Sequence, residues 1–156
     1  MKKIGQVKDR SSGRRRHRVL YVEDNDDNWS VIELRLGATY ELLRAASDRE
    51  ACEILSQSLD LYAILMDVEL AGSKLNGVQL TQLIRGKLPE RERPTYAVNV
   101  PKLDVPVLFV TAYAASYAHA RLIEAGADSV LAKPIDFTRL NLALTKLFIN
   151  RALERP

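Results

Sequence analysis

Cysteine is nearly absent: Cys52 is the only one in 156 residues, so no internal disulfide can form. Its place in Ala51-Cys52-Glu53-Ile54-Leu55 is that of a helix packing residue, as suits a reducing compartment, whereas a reactive thiol needs an electropositive setting. Long apolar runs are missing too. The longest, such as Tyr62 to Met66 and Val105 to Val110, fall far short of the ~20 residues that span a bilayer, so membrane insertion is not expected. Met1-Lys2-Lys3 is basic, yet no apolar stretch follows it as a secretory leader requires, and the expected location is cytoplasmic. A basic body is also lacking. The net charge of +3 conceals a segment, residues 1–18, with eight Lys or Arg against one acid (net +7), and a remainder with fifteen against nineteen (net −4). The folded face of a nucleic-acid-binding domain is therefore not indicated.

Residues 1–18 combine Ser11-Ser12-Gly13 with Arg14-Arg15-Arg16-His17-Arg18 and lack apolar periodicity, which predicts a flexible arm. Such an arm is either solvated and without a partner or an electrostatic contact for nucleic acid, anionic lipid or an acidic protein. Residues 19–156 have the size of one globular domain. Within them short apolar runs alternate with amphipathic segments. Strands are expected at Val19–Val22, Tyr40–Ala45, Tyr62–Met66, Val105–Val110 and Ser129–Ala132. Helices are expected over Trp29–Leu36, over a stretch through Ala51, Ile54 and Leu55 entered by a Ser47/Glu50 capping box, from Gly77 through Ile84, over Ser116–Glu124, and over Phe137–Leu153. Gly126 is suited to a left-handed helix terminus. The resulting βαβαβαβαβα order favours a parallel sheet covered by helices on both faces.

Ligands of such sheets bind beyond the carboxyl ends of the strands. There the first strand runs into Glu23-Asp24, the third into Asp67, the fourth into Thr111 and the fifth into Lys133. Each has an ordinary explanation alone: the run Glu23 to Asn28 as a helix-capping loop, Thr111 as a turn hydroxyl, Lys133 as a surface charge before a turn proline. Five suitable groups at four strand ends of one sheet are harder to explain that way. Three crowded carboxylates repel unless a cation sits among them, and an oxygen-only donor set suits Mg2+, with Mn2+ as the alternative ion. Such an ion aligns a phosphoryl group with a carboxylate nucleophile, while a lysine and a hydroxyl hold its other oxygens.

The ordered set Val19-Leu20-Tyr21-Val22-Glu23-Asp24-Asn25, Ile64-Leu65-Met66-Asp67, Val110-Thr111-Ala112 and Lys133-Pro134 resembles the receiver domains of two-component response regulators, over about Arg18 to Leu153. The resemblance implies a flavodoxin-like (βα)5 three-layer α/β sandwich with strand order 2-1-3-4-5. It implies Asp67 as phosphoacceptor, and Glu23, Asp24, Asp67 and the backbone carbonyl of Glu69 as metal ligands. Thr111 and Lys133 would contact the phosphoryl oxygens, with small Ala112 leaving space beside them and a cis peptide before Pro134. The implied function is phosphorylation-dependent signalling as a single-domain regulator, phosphorylated by a histidine kinase or histidine phosphotransfer protein and acting on a downstream protein. The resemblance implies a phosphoacceptor that assists its own phosphorylation and dephosphorylation rather than a dedicated enzyme.

Three features depart from the family pattern. Val130 stands where receivers commonly carry a switch aromatic, with Tyr113 and Tyr117 as nearby substitutes. The loop from Val68 to Gly77 is longer than usual and lacks the customary proline. Between Leu88 and Asp104, Pro89, Pro94 and Pro101 interrupt a charged stretch about twelve residues longer than the family spacing. That insertion is either a tolerated surface loop or a partner-binding or homodimer-forming element, with Tyr96 to Val100 extended and paired to a strand edge. Two competing functions are a non-phosphorylated pseudo-receiver that only binds proteins and a phosphohydrolase like the haloacid dehalogenases, which place a second aspartate where Glu69 stands.

Overall fold

The computed structural model describes residues 15–112 and 119–154. Strands β1 (Arg18–Val22), β2 (Glu41–Ala45), β3 (Ala63–Met66), β4 (Val107–Thr111) and β5 (Ser129–Ala132) form one sheet in the order β2-β1-β3-β4-β5. Every neighbouring pair is parallel, with Val22 opposite both Ala45 and Met66, and Thr111 opposite Ala132. All five carboxyl ends thus lie along one rim.

Alternation along β1 divides the core. Leu20 and Val22 face one side with Ala51, Cys52 and Leu55 of α2 (Asp48–Leu55), Leu80, Leu83 and Ile84 of α3 (Gly77–Ile84) and Leu122 of α4 (His119–Ala125). Val19 and Tyr21 face the other with Ile32 and Leu36 of α1 (Asp26–Leu36) and Leu140 and Leu144 of α5 (Phe137–Glu154). This is the flavodoxin-like three-layer sandwich, each helical layer burying the apolar side chains of one sheet face. Cys52 is fully buried at the packing position its pattern predicts, and burial, aided by Asp48 and Glu53, pushes its thiol up to about 12.

Boundaries shift for identifiable reasons. Pro106 has no N–H to donate, so the fourth strand starts at Val107, not Val105, although the Pro106 carbonyl still accepts from Ile64 N at 2.8 Å. The first helix starts at Asp26, three residues early, because the Asn25 side chain accepts from Asn28 N at 2.9 Å. Ser47 Oγ accepts from Glu50 N at 3.2 Å, but Glu50 reaches back to Ala46 N at 2.6 Å rather than to Ser47 N. A reciprocal capping box forms instead at α3, where Asn76 and Gln79 each accept the other's backbone N–H. Gly126 takes φ +118 after α4. The first residues expected in the fourth helix, Ser116 to Ala118, lie outside the described residues.

Residues 1–14 also lie outside the described residues, whereas the last of the basic run joins the fold: Arg18 opens β1 and His17 stacks on Tyr62 at 4.4 Å. The insertion does not extend along a strand edge, one of the two alternatives its sequence left open. It forms two single-turn 3-10 helices, Glu90–Glu92 and Thr95–Ala97, with Ala97 buried and Tyr96 and Val100 packed on the core. Pro89 and Pro94 lie immediately before the two turns, each at φ suited to turn entry, and the second turn carries Ala97 into the apolar core.

Candidate functional site

Glu23 and Asp24 follow β1, Asp67 follows β3, Thr111 ends β4 and Lys133 follows β5, so the parallel register brings all five to one rim. Oxygen atoms of Glu23, Asp24 and Asp67 lie within 4.8 Å of one another. Lys133 Nζ donates to Glu23 Oε2 at 2.6 Å and to Asp67 Oδ2 at 2.8 Å. Thr111 is fully buried, and its carbonyl accepts from Lys133 N at 3.0 Å, locking the two strand ends together. The Lys133–Pro134 peptide is cis, as expected. Glu69 is exposed in the loop two residues beyond Asp67. Val130 on β5 packs against the α2–α3 side of the core, while Tyr113 and Tyr117 lie outside the described residues.

Sequence reasoning missed the groups that support this cluster. Tyr21, two residues before Glu23 and on the same face of β1, donates its hydroxyl to Glu23 Oε2 at 2.9 Å. Period-two alternation was the available signal. Glu23 Oε1 accepts from Asn25 N at 3.1 Å, and Asp24 Oδ2 accepts from Ala71 N at 2.9 Å. Arg44 pairs with Asp26 at 2.7 Å and lies over the Trp29 ring.

The electrostatics follow from burial. Glu23 is completely inaccessible and Asp67 is 6% exposed. Burial works against the Glu23 carboxylate, but Lys133, Asn25 N–H and the Tyr21 hydroxyl together hold it below its ordinary value. For Asp67 burial prevails: with Glu23 also pushing upward and Lys133 pulling down, its carboxyl rises from 3.8 to about 6. Burial disfavours the Lys133 ammonium, yet its two carboxylate partners raise it above its ordinary value. Three carboxylates against one ammonium leave two negative charges uncompensated, a hard oxygen-only donor set that fits a divalent cation such as Mg2+.

The Asp67 shift carries a sign. Its folded-state value lies above the ordinary one, so the folded protein holds this proton more tightly, and the associated stability is lost as pH rises from about 4 through about 6. With chelator present, the stability of the wild type relative to Asp67→Asn is expected to fall over that interval. A difference in urea midpoints that stays flat from about pH 4.5 to about pH 7 would contradict it.

The sequence model of the response regulator receiver domain matches residues 19–145. The chain belongs to that family. Receiver domains are phosphoacceptor signalling modules of two-component systems rather than dedicated enzymes. This receiver domain is 29% identical over 126 residues to YrkP, an uncharacterized transcriptional regulatory protein of Bacillus subtilis, covering 80% of the chain and 46% of YrkP. It is 28% identical over 122 residues to the polar-differentiation response regulator DivK of Brucella ovis, covering 78% and 87%. A crystal structure of the receiver domain of a sensor histidine kinase from Pseudomonas aeruginosa, with a magnesium ion coordinated in its active-site cleft, superposes with TM-score 0.66 at 29% identity, covering 85% of this chain and 97% of that one. The chain spans from 14% to 46% of the length of the first curated relatives it matches. Among the described residues no helix is long and apolar enough to cross a membrane.

Proposed function

We propose that the protein signals by accepting a phosphoryl group on Asp67 and works through protein contacts as a single-domain response regulator. The observation that carries this reading is the convergence of Glu23, Asp24 and Asp67 within 4.8 Å, with Lys133 bridging Glu23 and Asp67. A carboxylate oxygen of Asp67 attacks phosphorus in line. The new O–P bond forms as the donor's N–P bond breaks, and the leaving group is the histidine imidazole of a histidine kinase or histidine phosphotransfer protein. Lys133 pairs with the phosphoryl oxygens and the Thr111 hydroxyl donates to them, stabilising charge that grows in the transition state. Glu23, Asp24, Asp67 and the Glu69 carbonyl would hold Mg2+, or Mn2+ in its place, and the bound ion would supply positive charge to offset that of the phosphoryl group.

The receiver domain is assigned to residues 19–156 with the insertion at 88–104, Arg18 joining it as the first residue of β1, and the basic residues that precede serve as an arm. The arm is the one candidate for nucleic-acid contact. Location is cytoplasmic, and the output passes to a downstream protein or to a second copy of the chain in a homodimer.

Incubation with Mg2+ and acetyl phosphate, or with a phosphorylated kinase, is expected to label the wild type and leave Asp67→Asn unlabelled. Equal labelling of both removes Asp67 as the acceptor. No labelling from any donor favours the pseudo-receiver that binds partners without phosphorylation.

A further inference from the structure

The insertion leaves and returns at the rim opposite the acidic cluster. Leu103 N donates to Ile84 O at 2.8 Å and Arg85 Nη1 donates to Leu103 O at 2.9 Å, closing its base at the end of α3. Its middle climbs toward the other rim. There the Tyr96 hydroxyl donates to Oδ2 of Asp48, the first residue of α2, and the Arg49 guanidinium covers the Tyr96 ring at 4.7 Å.

Asp48 is 3% exposed and ties three segments together. Its Oδ2 accepts from Leu75 N at 3.0 Å as well as from Tyr96, its Oδ1 accepts from Arg49 N at 2.8 Å, and its own N–H donates to Ser73 Oγ at 3.0 Å. Leu75 and Ser73 belong to the loop that runs from Asp67 to α3. The same loop donates Ala71 N to Asp24 Oδ2 at 2.9 Å. One connected path thus leads from the insertion, through Asp48, to a carboxylate of the acidic cluster.

We propose that Tyr96 and Asp48 are positioning residues for the phosphoacceptor site: the insertion is a strap that fixes the loop after Asp67 and thereby sets the affinity for the divalent cation. This rests on the proposed phosphoacceptor function only for its consequence in phosphoryl transfer. A buried carboxylate served by several neutral donors holds a backbone segment firmly, and removing one donor loosens the segments it joins. A loop held from outside the site is a low-stability unit whose opening the strap suppresses.

The test uses Tyr96→Phe in the full chain, which keeps the ring against Arg49 and removes only the hydroxyl. Amide exchange at Ala71 and Leu75, followed by NMR with chelator present, is expected to accelerate about tenfold while the amides of Leu20 and Leu65 stay unchanged. The Mg2+ concentration for half-maximal labelling by acetyl phosphate is expected to rise roughly threefold to tenfold, with the rate at saturating Mg2+ within about twofold of wild type. Val98→Ser, on the exposed side of the strap, serves as a control expected to change none of these. Unchanged exchange at Ala71 and Leu75 overturns the strap, as does acceleration spread evenly over the sheet. If the wild type takes no label, the phosphoacceptor reading fails, while the exchange measurement still decides the strap.

Discussion

Gly77→Ala is expected to destabilise the protein by about 3 kcal/mol, the upper end of the range for forced overpacking, and to slow phosphoryl uptake on Asp67 by on the order of a hundredfold. Gly77 is the first residue of α3, tied by its N–H to Val68 O at 2.8 Å. A Cβ there would lie 1.9 Å from the carbonyl oxygen of Asp67, 2.8 Å from its carbonyl carbon and 3.0 Å from Met66 Cγ. The first two are backbone atoms, so no rotamer change relieves the clash. Either α3 moves away from the sheet, opening the packing of Leu80 and Leu83, or the Asp67 backbone shifts and takes its carboxylate off line. Urea denaturation and labelling at saturating Mg2+ measure the two losses. A variant with wild-type midpoint and rate would show that the Cβ is accommodated without moving either α3 or the strand end, contrary to this packing.

Lys133→Met is expected to remove roughly 3–5 kcal/mol at neutral pH with chelator present, the range for stripping one partner from a buried ion pair. Side-chain exposure is 15% for Lys133, 1% for Glu23 and 9% for Asp67, so water cannot replace the ammonium that spans both carboxylates. In the wild type the Lys133 value is raised, so its contribution is complete at neutral pH and disappears only as pH climbs past the ordinary lysine range. In the variant the carboxylates face each other unscreened and bind protons more readily, so stability should recover as pH falls. Mg2+ should restore much of it at neutral pH by supplying positive charge to the same oxygens. Urea midpoints at about pH 5 and about pH 7, with Mg2+ and with chelator, separate these effects. A loss identical under all four conditions would mean that the lysine stem acts by packing alone.

The acidic cluster was legible because its parts are local in sequence terms: each of its residues sits at the end of an apolar run, and parallel strands bring such ends to one rim. Cys52 was readable for the same reason, since helical spacing alone placed it inward. Tyr21 was within reach of the same alternation that exposed the core, yet its bond to Glu23 requires knowing that both side chains turn to one side beside Lys133. The path of residues 88–104 was not legible. Proline and charge mark a loop, but whether it extends along an edge or folds back depends on a groove that exists only once α2 and the loop after Asp67 have packed.

By itself, the sequence determined the alternation of strands and helices, the five polar groups at the strand ends and the chemistry they suit, because apolar periodicity and residue type act over a few neighbouring positions. Tertiary structure alone decided that Gly77 lies against the Asp67 carbonyl, that Asp48 joins Tyr96 to Leu75, and that Tyr21 and Lys133 share Glu23. Those contacts join residues far apart in the chain, and the packing of helices on the sheet sets their distances.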